Sequence, residues 1–215
     1  PYLYFLYEHY GKDKNRIPPL KVSDPVYISS NYTRQKIECE NALNQSTIKY
    51  AIFRLGAVIN TEFRVAGGSI DKVLQEVFAM SLDNRIEGIW NIDVATALIK
   101  ASELFKIKLN SINHKTFFLG GGKEKGWQLT VRTFYTQVFK AIGFGLPYES
   151  SFSKESYYAD WLDTQESEDL LHYQMHSFND YLNSVKKKMG LKRYFFIILS
   201  PLIRLILSKL SKVKN

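Results

Sequence analysis

Tyr32 and Lys36 lie four residues apart in NYTRQKIECENAL, Asn31 to Leu43, so on a helix their side chains share one face and can serve one site. A phenol near its reference pKa of about 10 is a poor base at neutral pH, but a neighbouring ammonium favours the phenolate and brings it into working range. The chemistry that this pair suits is proton transfer to or from a hydroxyl, with Tyr32 as acid/base and Lys36 assisting. Spacing is not selective on its own, since Tyr10 and Lys14 repeat it. Context separates the two. Tyr32 follows a helix start and precedes acids at Glu38 and Glu40 and the strand-like run KYAIFRLGAVI, whereas Tyr10 sits among Gly11, Asp13 and Asn15 in a turn-like segment.

The elements that must carry these residues are legible in outline. An aromatic strand over Tyr2 to Tyr7 leads into a Lys/Asn/Pro loop from Gly11 to Pro25, and Ser30 or Asn31 caps the Tyr32 helix. Lys49 to Leu55 alternates and is rich in Ile and Phe, which predicts a strand of the sheet. After Gly67-Gly68 the pattern predicts a helix from about Ser69 to Met80, a short strand near Gly88 to Ile92, and a helix capped by Asp93 that runs to Phe105. Thr116 to Leu119 reads as a strand, and Thr130 opens a helix that stops at Gly143.

Other residues with chemical capacity carry less. Gly120-Gly121-Gly122 with Gly126 superficially matches a dinucleotide-binding loop, yet no acid stands about 20 residues beyond, around Ile142, to hold a ribose. The run therefore reads as a turn that needs positive φ. The single Cys39 excludes an internal disulfide, fits a reducing cytosol, and reads as a packing residue rather than a nucleophile. His172 and His176 are spaced i,i+4 without a third ligand nearby and read as surface residues.

The net charge of +8 is confined to one end. Nine basic residues and no acidic one follow Asp180, leaving 20 basic against 21 acidic residues in the body, a balance that argues against a nucleic-acid-binding face there. Within KKKMGLKRYFFIILSPLIRLILSKLSKVKN the apolar stretch from Tyr194 to Leu207 is interrupted by Pro201 and Arg204. As a helix it would span about 21 Å, short of the roughly 30 Å hydrocarbon layer. An interfacial amphipathic helix with lysines against anionic lipid is the expectation for residues 190–215, the alternative being a helix packed on its own domain or on a partner subunit. The corresponding location is cytoplasmic, peripheral at the inner face of the membrane.

The order of motifs resembles the extended short-chain dehydrogenase/reductase family, the NAD-dependent epimerases and dehydratases that act largely on nucleotide sugars. Tyr10-Gly11, Pro18-Pro19 with Asp24-Pro25, Tyr32 with Lys36, Arg54-Leu55-Gly56-Ala57-Val58, Ile92-Asp93-Val94-Ala95, Phe118-Leu119-Gly120-Gly121 and Trp161-Leu162-Asp163-Thr164 follow one another as that family's motifs do. Three departures stand out. Leu6 occupies the place of a substrate-polarising Ser or Thr, Ala57 that of a frequent Asn, and the glycine-rich nucleotide fingerprint is missing ahead of Pro1.

The resemblance implies an α/β fold: an incomplete Rossmann-like parallel sheet with a small α/β substrate-binding lobe and a C-terminal amphipathic helix. It divides the chain into residues 1–146, the C-terminal part of the catalytic domain; 147–189, the substrate-side lobe, including Tyr157, Tyr158 and Trp161; and 190–215, the basic tail. It further implies NAD or NADP as cofactor, bound by Tyr32, Lys36, Leu55 and Val58, with Tyr32 and Lys36 catalytic. A nucleotide-sugar-like substrate and a homodimer through the Tyr32 helix complete the expectation. The chain looks like the C-terminal two-thirds of a longer enzyme and is expected to bind NAD poorly alone, because the pyrophosphate site would belong to a first βαβ unit. The alternative reading is a non-catalytic truncated relative associated with the membrane surface.

Overall fold

The computed structural model describes residues 17–61, 70–155 and 160–211. The expectations for Tyr2 to Tyr7, Leu6, Tyr10-Gly11, Gly67-Gly68, Tyr157 and Tyr158 lie outside the described residues.

Ser30 caps α1 (Asn31–Asn44) by accepting the Thr33 amide at 3.1 Å. The chain then runs through β1 (Ala51–Leu55), β2 (Ala57–Ile59), α2 (Ile70–Ala79), β3 (Arg85–Trp90), α3 (Asn91–Ile107), the short α4 (Leu109–Ile112) and β4 (Lys115–Leu119). β1 pairs parallel with β4, and β2 parallel with β3. Parallel neighbours need a crossover, which α2 supplies between β2 and β3 and which helices α2 to α4 flank between β1 and β4. Only Gly56 separates β1 from β2, and its amide donates to Leu119 O at 2.7 Å. One ladder therefore ends where the next begins.

β5 (Gln128–Thr130), absent from the sequence expectation, adds antiparallel to β3. A three-residue strand leaves too short an alternation to read. α5 (Val131–Ile142) begins and ends as its residues dictate: Thr130 accepts the Thr133 amide, and Gly143 ends the helix at φ 126°. α6 (Gln165–Leu171) and α7 (Phe178–Met189) follow, α7 opened by a reciprocal cap between Ser177 and Asp180. The Ser177 hydroxyl and amide hold the Asp180 carboxyl below its usual range.

β3 is buried from Ile86 to Trp90 and β4 from Phe117 to Leu119, as parallel strands between helical layers are. Alternation still sorts their side chains: Phe118 joins a cluster with Phe78, Ile86 and Tyr135, whereas Phe117 and Leu119 join one with Ile89, Ala97 and Tyr173. A third cluster packs Trp127 against Phe178 and Tyr181, ring centroids 5.1 and 5.7 Å apart, with the indole N–H donating to His176 O at 2.9 Å. Residues 147–189 contribute to all three clusters.

The glycine run after β4 exists for close packing. A Cβ on Gly121 would strike the Trp127 ring and lie 2.7 Å from Gly88 O, and neither a buried indole nor a strand carbonyl can give way. Gly121→Ala is expected to cost about 3 kcal/mol, lowering Tm by roughly 6–12 °C; a calorimetric scan against wild type checks this.

The tail forms two helices, α8 (Lys192–Ile198) and α9 (Ser200–Leu210), in place of one amphipathic helix. Pro201 lacks an amide to continue the α8 ladder but suits the first turn of α9. Among the described residues no helix is long and apolar enough to cross a membrane.

Candidate functional site

α1 buries only Thr33, whose hydroxyl meets Ser29 and Ser30 at 3.1 and 2.9 Å. One turn of helix brings the predicted pair together: Lys36 Nζ lies 5.4 Å from the centroid of the Tyr32 ring, within cation–π range. Tyr32 is half-buried and Lys36 exposed, which leaves the ammonium accessible to a ligand.

Two turns beyond Tyr32, Glu40 anchors the helix to the sheet. The Arg54 guanidinium, on β1 and 7 % exposed, forks onto Glu40 through Nε at 3.0 Å and Nη2 at 2.6 Å, and its Nη1 donates to Val22 O at 3.4 Å. Arg54 therefore serves to set α1 against β1. Truncating one partner leaves the other charge largely desolvated, so Arg54→Ala and Glu40→Ala should each cost about 2 kcal/mol, with strongly non-additive effects. A double-mutant cycle by urea unfolding measures that coupling.

Leu55 precedes Gly56 at the β1–β2 step and Val58 stands two residues after it, and both pack half-buried against the Ile89–Tyr173 cluster. Cys39 is exposed rather than packed: α1 presents too little surface to the core to cover it. Among the described residues no group of three or more His, Cys, Asp or Glu side chains could hold a metal ion.

The glycine run also fails as a phosphate cradle. Gly120 N–H donates to Tyr173 Oη, Gly121 N–H to Gly88 O and Gly122 N–H to Glu87 Oε1, at 3.1, 2.7 and 3.0 Å. All three amides are occupied internally, and Gly122 and Gly126 adopt positive φ, as a turn reading expects.

Two polar centres were not legible as such. Glu87, fully buried on β3, accepts from the amides of Gly122 and Leu162 and from Gln128 Nε2 at 2.8–3.0 Å. Burial pushes its carboxyl up to about 7, those three hydrogen bonds opposing the rise. An acid inside the otherwise apolar run IEGIW, Ile86 to Trp90, was the available signal. Nearby, burial pushes the Tyr173 phenol up to about 12.

Asp93 is the second centre, and the expectation that it caps a helix is corrected. Trp90 holds the cap position without a side-chain hydrogen bond, while Asp93 lies fully buried inside the first turn. Its carboxylate accepts the His176 amide at 3.1 Å and His176 Nδ1 at 2.6 Å. His176 is thereby held edge-on to Trp90, whereas His172 ends α6 in the left-handed region at φ 45°. The two histidines serve different ends.

No protein-family model and no curated protein sequence matches the chain. Solved structures do. A UDP-glucose 4-epimerase from Stenotrophomonas maltophila superposes with a TM-score of 0.62 at 14 % identity, covering 84 % of this chain and 60 % of that one. The UDP-glucose 4-epimerase of Thermotoga maritima does so at 0.59 and 15 %, covering 91 % and 62 %. DesIV, a dTDP-glucose 4,6-dehydratase from Streptomyces venezuelae, does so at 0.61 and 17 %, covering 84 % and 56 %. The fold is that of the nucleotide-sugar epimerases and dehydratases. The chain spans about three fifths of the length of those structures. In this epimerase-type fold, α1 lies beside the strand whose end carries Arg54, Leu55 and Gly56, joined to it by the Glu40–Arg54 fork.

Proposed function

We propose that this chain carries the acid/base half of an NAD(P)-dependent enzyme that epimerises, dehydrates or oxidoreduces a nucleotide sugar or similar alcohol. The observation that carries the reading is the Lys36 ammonium over the Tyr32 ring on an accessible helix face, in an epimerase-type fold. The Stenotrophomonas epimerase was solved with NAD and a formylated UDP-arabinopyranose, and DesIV with NAD.

In this reading the described residues would hold one end of such a cofactor. Lys36 would reach the nicotinamide ribose, and Leu55 and Val58 offer an apolar flank. Gly120 to Gly122, with their amides occupied, offer nothing to the pyrophosphate. A bound nicotinamide supplies hydride exchange with the substrate carbon. Tyr32 Oη holds and moves the proton of the substrate hydroxyl, and the Lys36 ammonium stabilises negative charge as it develops on that oxygen. Residues 147–189 make up the substrate side in this reading.

The test is turnover of UDP- and dTDP-hexoses by the gene product that contains residues 1–215, with NAD or NADP added and products read by proton NMR. Product that depends on Tyr32 supports the proposal; unchanged turnover in Tyr32→Phe defeats it.

A further inference from the structure

The two C-terminal helices, α8 and α9, join through the single residue Leu199 and turn several polar side chains toward the body. Arg193 Nε donates to Ala141 O at 3.2 Å and Arg204 Nε to Leu146 O at 2.6 Å, while Ser200 Oγ accepts the Gly145 amide at 3.3 Å and Ser208 Oγ that of Tyr148 at 2.9 Å. Arg204 also lies over the Tyr148 ring, 5.6 Å from its centroid. Four side chains spread along α8 and α9 thus pin the segment to the backbone of residues 141–148.

Leu207 packs against the Phe78–Tyr135 cluster and Phe196 lies against Gly143, whereas most of the other large apolar side chains face away. Leu191 is 85 % exposed, Ile198 78 %, Tyr194 and Phe195 62 %, with Leu202 and Ile206 near half, and neither helix buries a single residue. A helix normally turns its apolar stripe toward the core, and a contiguous exposed apolar face marks an interaction surface. Hydrogen bonds and the Leu207 contact hold the segment on its other side, so the outward face is presented rather than left over from loose packing.

The charge around it selects the partner. Lys186, Lys187 and Lys188 at the end of α7, Lys192 at the start of α8 and Lys209 near the end of α9 are all exposed, and no acidic residue follows Asp180. An apolar face rimmed by cations of one sign complements an anionic lipid surface, where side chains such as Phe195 and Ile198 enter the headgroup boundary and lysines meet phosphates. A second copy of the chain would bring the same positive rim against itself.

We infer that the outward face of the α8–α9 segment docks this protein on anionic membrane. The inference is independent of the Tyr32 reading. The test is co-sedimentation of the gene product that contains residues 1–215 with phosphatidylcholine vesicles, with and without phosphatidylglycerol. Binding to the anionic vesicles should be at least tenfold tighter and fall with salt. The triple variant Phe195→Ser, Ile198→Ser, Leu202→Ser should lose at least tenfold, circular dichroism verifying that it remains folded. Lys187→Glu with Lys188→Glu and Lys192→Glu, which leaves the apolar face intact, should lose the anionic preference. Absence of wild-type binding to anionic vesicles overturns the inference, as does full binding by both variants. So does a dimer by light scattering that the serine variant dissociates while no vesicles are bound, which would give the face to a second copy.

Discussion

Tyr32→Phe is expected to lower kcat of the gene product about 10²–10⁴-fold, the range for removing a positioned acid/base. The substitution deletes one oxygen and keeps the ring, so the contact with Lys36 Nζ and the Ser30-capped turn that orients it persist. KM should therefore change little and thermal stability by less than about 1 kcal/mol, which separates a chemical role from a structural one. Lys36→Met should act in the same direction, and it should also weaken dinucleotide binding because it removes the proposed ribose partner. Steady-state kinetics with the best nucleotide sugar checks both; a loss of less than tenfold in Tyr32→Phe would exclude the proton-transfer role.

Glu87→Leu should be the most destabilising single change in the described fold. Removing the carboxylate orphans the amides of Gly122 and Leu162 and the Gln128 side chain in a dry interior, at about 1–3 kcal/mol for each unsatisfied group. Those three donors connect the glycine turn, β5 and the segment before α6 to β3, so their loss loosens several elements together. Little folded protein is expected at 37 °C.

Glu87 also makes the fold pH-dependent. Its carboxyl stands at about 7 in the folded chain, against 4.5 as the ordinary value. Between these values the folded state holds a proton that the unfolded state has released, so stability is greatest below about 4.5 and falls as pH rises through 7. The difference corresponds to about 3 kcal/mol. Glu87→Gln removes the titration and should flatten the slope of Tm between pH 5 and 8, at a constant cost for turning an amide N–H toward existing donors. A wild-type Tm that rises across that interval would contradict this.

Much of the local architecture could be read directly from neighbouring residues. The Ser30 and Thr130 caps, the Gly143 stop and the one-turn approach of Lys36 to Tyr32 are all settled within four residues of chain, a distance over which helix geometry leaves little choice. A parallel sheet, which the resemblance implied, is present in the pairs β1–β4 and β2–β3, but which strands pair was decided by the tertiary structure. The positive φ of Gly122 likewise agrees with the turn expected of the glycine run.

Partners far apart in the chain were another matter. Asp93 resembles a cap because acids belong in first turns, and only the return of the chain 83 residues later puts His176 against its carboxylate. Glu87 draws donors from 35, 41 and 75 residues away, and Arg54 reaches Glu40 across the step from helix to sheet. In the tail, composition foretold an amphipathic helix with lysines at its edges, yet which side faces in depends on the carbonyls and amides of residues 141–148 that receive Arg193, Ser200, Arg204 and Ser208. Periodicity and capping are local and survive in the order of residues. The assignment of a buried charge to its partner is made only when packing excludes water and leaves each polar group a single place to find its hydrogen bonds.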